Sequence, residues 1–136
     1  MRTEVRTSDA AAPGGTYSQG ILAGEFLYVS GQGPFDTNGE IVGTTFEEQA
    51  KATLANISAI AQAAGGRIED AVKIGAYLRD QSDFPVWNAV CSQTFARPFP
   101  ARTTIECNLT GFDIEIDAVI WVPQATTAKA TSNDTD

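Results

Sequence analysis

Histidine is absent from all 136 residues of this chain, and no other absence excludes as much chemistry. Without imidazole there is no Ser-His-Asp triad, no Cys-His dyad and almost none of the usual catalytic zinc sites. Cysteine is nearly absent as well. Cys91 and Cys107 are too few for a disulfide framework and form no CxxC or other metal-ligand spacing, so both are expected as buried thiols and no metal site is expected. Long apolar runs are missing: nothing approaches the roughly 18 residues of a membrane helix. The start, MRTEVRTSDA, also lacks the apolar stretch of a signal peptide, and a cytoplasmic location is the expectation. Positive charge is scarce. Nine Lys and Arg against 17 Asp and Glu give a net charge of −8, a repulsive field for any nucleic-acid backbone.

What is present suits one domain with one core, since 43% of the residues are hydrophobic. Residues 2–6, Ile21-Leu22 and Phe26-Leu27-Tyr28-Val29 read as short strands. They lead to a loop at Ser30-Gly31-Gln32-Gly33-Pro34. The segment VSGQG, Val29 to Gly33, comes close to a nucleophile elbow, but Tyr28 stands where that motif needs its first glycine. A further turn is expected at Asp36-Thr37-Asn38-Gly39.

Thr45 with Glu48 three residues later forms a capping-box signature. Phe46, Ala50, Leu54, Ile57, Ala61 and Ala64 then recur at helical spacing up to Gly65-Gly66. Val72, Ile74, Ala76 and Leu78 alternate as in a central strand. A second helix begins at Ser82 or Asp83 with the stripe Phe84, Trp87, Cys91, Phe95 and ends before Pro98 and Pro100. That stripe reads as core packing. Residues 103–109 and 114–122 alternate as two strands around Thr110-Gly111, expected to pair as a closing hairpin. After Val122, the small, polar, aperiodic stretch 123–136 reads as a frayed tail outside a domain of residues 1–122. The order strands, helix, strand, helix, two strands predicts an α+β fold with two helices on one sheet.

In the expected hairpin register, Cys107 opposes Ile114 and Glu106 opposes Glu115. Ile105, Cys107 and Leu109 then face the helices, while Arg102, Thr104 and Glu106 share the other face with Glu115, Asp117 and Val119. Val119 and Trp121 are large apolar residues for an open face, so a second subunit is expected to cover them. Arg102 follows the stiff segment Pro98-Phe99-Pro100-Ala101 and offers paired donors suited to a carboxylate, with Glu115 or Asp117 available to hold water or move a proton. Arg102 in a plain salt bridge is the competing reading.

Several separated motifs together resemble the RidA family, also called YjgF. They are Tyr17-Ser18-Gln19, Val29-Ser30-Gly31-Gln32, Phe84 with Asn88, Pro100-Ala101-Arg102 and Ile114-Glu115-Ile116. The resemblance spans about residues 10–122. It implies a chorismate-mutase-like fold, a homotrimer with sites at subunit interfaces, and hydrolysis of 2-imino acids or their enamine tautomers to 2-oxo acids and ammonia without a cofactor. By the same resemblance Arg102 would bind the substrate carboxylate and Glu115 would orient water. Tyr17, Ser30, Gly31 and Asn88 would line the pocket. Phe84 and Trp87 are left to the core. Two departures bear on the substrate: Thr104 stands where several imine deaminases have cysteine, and Thr16 replaces a common proline. Thr104 is expected to add a hydroxyl to the pocket. The alternatives are a related enzyme of a specialised pathway acting on a different imine or enamine, and a non-catalytic trimer that binds carboxylate ligands. Ribonuclease activity, also attached to this family, is opposed by the charge and the missing histidine.

Overall fold

Six strands form one mixed sheet in the computed structural model, which describes residues 1–123. Apart from Pro123, the tail expected from the sequence lies outside the described residues. The strands are β1 (Arg2–Val5), β2 (Gly20–Ala23), β3 (Phe26–Gln32), β4 (Ala71–Leu78), β5 (Ala101–Glu106) and β6 (Ile114–Trp121). Their spatial order is β1-β2-β3-β6-β4-β5, antiparallel throughout except for the parallel pair β4 and β5. Two helices, α1 (Phe46–Ala63) and α2 (Phe84–Thr94), pack on one side. The expected α+β class with two helices on a single sheet is the one observed.

Helix α1 starts where its capping box predicts. The Thr45 hydroxyl accepts the Glu48 N–H at 3.2 Å, and the Glu48 carboxylate accepts the Thr45 N–H at 3.1 Å. Gly65, at φ +83°, follows its end in the left-handed conformation that glycine adopts without a Cβ penalty. Phe46, Ala50, Leu54, Ile57 and Ile60 bury one face of α1 against Leu27 and Val29 of β3 and Ile114, Ile116 and Ile120 of β6. Three polar residues on α1 are also buried. Gln49 accepts the Asp113 N–H, Asn56 donates to the carbonyls of Gly33 and Phe35, and Thr53 bonds back to the Gln49 carbonyl. The first two pins fix the ends of the loops flanking the sheet. Among the described residues no buried side-chain nitrogen or oxygen lacks a partner.

The closing hairpin does not form. β5 pairs with β4 in parallel, Ile74 beside Arg102 and Ala76 beside Thr104, while β6 inserts between β3 and β4. Residues 79–100 are long enough to carry α2 as a crossover, and a strand-helix-strand order with such a connection favours parallel pairing. β6 gains from the central position because its inward residues Ile114, Ile116 and Ile120 are fully buried only with neighbours on both sides. Glu106 and Glu115 are therefore not opposed. Glu106 sits beside Leu78 and accepts the Gln81 N–H at 2.8 Å.

The parallel pairing also reverses the faces expected for β5. Arg102 and Thr104 share the helix face with Ile74 and Ala76, and Ile105 stands on the open face, 47% exposed. Cys107 is half-buried rather than buried. Glu115 and Asp117 remain on the open face of β6. Two irregularities refine the remaining strands. A bulge at Val72 turns that residue outward. β3 runs on to Gln32 through a register shift after Val29, where a loop was expected.

Candidate functional site

Arg102 enters β5 at its second residue and extends over α2. Its guanidinium carbon lies 5.4 Å from the Phe84 ring centre and 5.9 Å from that of Trp87, within cation–π range of both. One terminal nitrogen donates to the Asn88 side-chain oxygen at 2.9 Å. Trp87 is itself fixed, since it is fully buried and its indole N–H donates to the Thr104 hydroxyl at 3.1 Å. Among the described residues Arg102 has no carboxylate partner. Its head borders a cleft of about 310 Å³ whose other walls include Ile74, Cys91, Phe95 and Phe99. Burial pushes the Cys91 thiol above its ordinary pKa, and the adjacent guanidinium only partly offsets this.

Glu115 belongs to a different cleft, of about 260 Å³, that it shares with Tyr17 and Gly31. Gly31 leaves the room the carboxylate occupies. A Cβ on it would come within 2.6 Å of a Glu115 carboxylate oxygen. Burial holds the Glu115 carboxyl above the ordinary glutamate value of 4.5, and the neighbouring Asp117 charge adds to the effect. Asp117 accepts a hydrogen bond from the Tyr77 hydroxyl at 2.9 Å. The Tyr17 hydroxyl accepts the Gly14 N–H at 3.0 Å, which folds the loop back on itself at the cleft edge. The Ser30 hydroxyl is turned away from solvent chemistry, donating to the Ser18 carbonyl.

The candidates thus fall into two groups on opposite faces of one sheet. Arg102 and Asn88 meet on the helix face, with Thr104 behind Trp87. Tyr17, Gly31 and Glu115 meet on the open face, with Ser30 bracing the loop. A single copy of the chain does not bring the arginine and the glutamate to one substrate. Sequence reasoning left Phe84 and Trp87 to the core because helical spacing cannot separate packing from framing a cation. The i, i+4 spacing of Phe84 and Asn88 on one helix was the available signal. Among the described residues no group of His, Cys, Asp or Glu is placed to hold a metal ion, and no helix is long and apolar enough to cross a membrane.

A guanidinium with donors to spare beside a small cleft has the chemistry to receive a carboxylate, and a half-buried carboxyl held above its ordinary pKa has the chemistry to exchange a proton. The fold defines a class of α+β proteins in which two helices cover one face of a single mixed six-stranded sheet. The chain matches the family model described as Endoribonuclease L-PSP over residues 7–122, and it belongs to that family. It is 40% identical over 124 residues to a RutC family protein of Pyrococcus horikoshii, covering 89% of this chain and 98% of that one. It is 35% identical over 102 residues to a 2-iminobutanoate/2-iminopropanoate deaminase of Dermatophagoides farinae, covering 74% of this chain and 80% of that one. The crystal structure of RidA from an Antarctic Psychrobacter superimposes with a TM-score of 0.83 at 36% identity, covering 88% of this chain and 99% of that one.

Proposed function

We propose that the protein is a hydrolytic deaminase of 2-imino acids or their enamine tautomers, working at a site that two copies of the chain complete together. The observation that carries this reading is Arg102 itself: framed by Phe84, Trp87 and Asn88, facing a cleft, and without an acidic partner among the described residues. Arg102 holds the substrate carboxylate. Glu115 of the second copy accepts a proton from water, whose oxygen bonds to the imine carbon. Glu115 returns the proton to the carbinolamine nitrogen, the carbon–nitrogen bond breaks as the hydroxyl gives up its own proton to form the carbonyl, and a 2-oxo acid and ammonium leave. A protonated C=N carbon is already electrophilic, so orientation and one proton acceptor suffice and no cofactor enters. Tyr17, Ser30 and Gly31 shape the water side of the site, and Asn88 steadies the carboxylate side. The open face carries apolar residues suited to burial between copies, and the homotrimer that the family resemblance implies is the expected assembly.

One observation favours a second reading, binding without turnover: a lone copy presents Arg102 with no glutamate on the same face. One experiment separates the two. 2-Iminopropanoate is generated in situ and its loss followed with wild type, Arg102→Ala, Glu115→Gln, and the two variants dissociated and reassembled together. Each variant alone should lose turnover. Random reassembly should restore about a quarter of the wild-type sites, since each shared site then keeps both wild-type partners with odds of about one half times one half. No acceleration by wild type, or an unaltered rate in Arg102→Ala, overturns the deaminase. Binding of 2-oxo acids that needs Arg102, with no turnover to restore, supports the second reading.

A further inference from the structure

We infer that the cleft beside Arg102 is a side-chain pocket that selects 2-imino monocarboxylates with branched or aromatic apolar substituents over small ones and over dicarboxylates. This rests on the reading of Arg102 as the carboxylate anchor. The walls come from three places: Ile74 on β4, Asn88, Cys91 and Ser92 on α2, and Phe95 and Phe99 on the segment that leads into β5. Arg102 is the single charged side chain among them. A carboxylate paired with Arg102 therefore has apolar surface beside it, and a second carboxylate would lose water with no cation to receive it. The walls are firm. Ile74 is fully buried, Phe95 and Cys91 are nearly so, and each is fixed by the core cluster. Burial also keeps the Cys91 thiol protonated, so it acts as one more soft apolar contact. At about 310 Å³ the space lies at the lower end of ligand-sized pockets, ample for an amino-acid-sized substrate and more than a methyl or ethyl substituent fills.

The test uses the full-length protein and imines generated in situ from alanine, leucine, phenylalanine and glutamate by amino-acid oxidation or dehydrogenation. The expected kcat/KM for the leucine and phenylalanine imines is roughly tenfold or more above that for the alanine imine, with the glutamate imine below all three. Cys91→Leu, which fills the cleft, should lower the phenylalanine-to-alanine ratio about tenfold. Phe99→Ala removes a wall from an exposed position and should lower the same ratio several-fold without disturbing the core, which keeps the test decisive if Cys91→Leu folds poorly. Turnover of the alanine imine with a ratio at or below one, or a ratio that Phe99→Ala leaves unmoved, overturns the pocket while the deaminase stands. Turnover of no imine at all overturns both.

Discussion

Glu115 concentrates the electrostatics of the open face in one residue. Gly31 lets it lie close against β3, and both its burial and the Asp117 charge oppose its ionisation. In the proposed reaction the ionised form accepts the proton, so turnover should fall on the acid side through a pKa above 4.5, and Glu115→Gln should remove that limb along with most of the rate. Stability runs the opposite way with pH. The folded chain holds this proton more tightly than the unfolded one, so the contribution of Glu115 is greatest below 4.5 and is lost as pH rises through the raised folded value. Denaturation across that range should show a loss in wild type that Glu115→Gln lacks. Residue type did not single out Arg102 and Glu115 among nine basic and 17 acidic residues; strand alternation left Glu115 and Asp117 as alternatives, and the separated motifs pointed to the pair. Residue type did not reveal the frame of Phe84 and Trp87. An aromatic stripe at helical spacing serves a core and a cation equally well.

Between elements, the bond from Trp87 to Thr104 ties α2 to β5 directly beneath Arg102. Replacing Thr104 with valine keeps the shape and removes the acceptor, leaving a fully buried indole N–H unpaired at a cost of about 1–3 kcal/mol. Chemical denaturation should register that loss, and Thr104→Ser should recover most of it; equal stability of Thr104→Val and wild type would mean that the tie contributes nothing. The expectation that the Thr104 hydroxyl faces the pocket takes no account of this bond. Helix α1 illustrates the opposite case. Its start at Thr45 and Glu48 and its apolar stripe are written within a few consecutive residues, and they appear where the sequence predicts. The pairing of β5 is a choice among distant partners. Alternation identifies a strand but not its neighbour, and a glycine near a loop suggested a hairpin that the crossover through α2 overrides.

At the scale of the whole molecule, the open face exposes Phe26, Tyr28, Ile105 and Trp121 between 39% and 50% each, beside the half-buried Val119. A face of this kind is costly to leave in water. Trp121→Asp, which alters neither cleft's lining, should shift the protein to a smaller species in sedimentation and remove imine turnover in parallel. A variant that dissociates yet keeps the wild-type rate would show that one copy suffices.

Composition determined by itself that imidazole and disulfide frameworks are excluded. Local periodicity determined two helices, most strands and the α+β class, because spacing along the chain fixes which residues of an element can share a face. The separated motifs brought Arg102 and Glu115 to attention. Only the tertiary structure decided that they stand on opposite faces of one sheet, because the face of a strand depends on its pairing and β5 pairs with β4 rather than with β6. That single choice of neighbour separates Arg102 from Glu115.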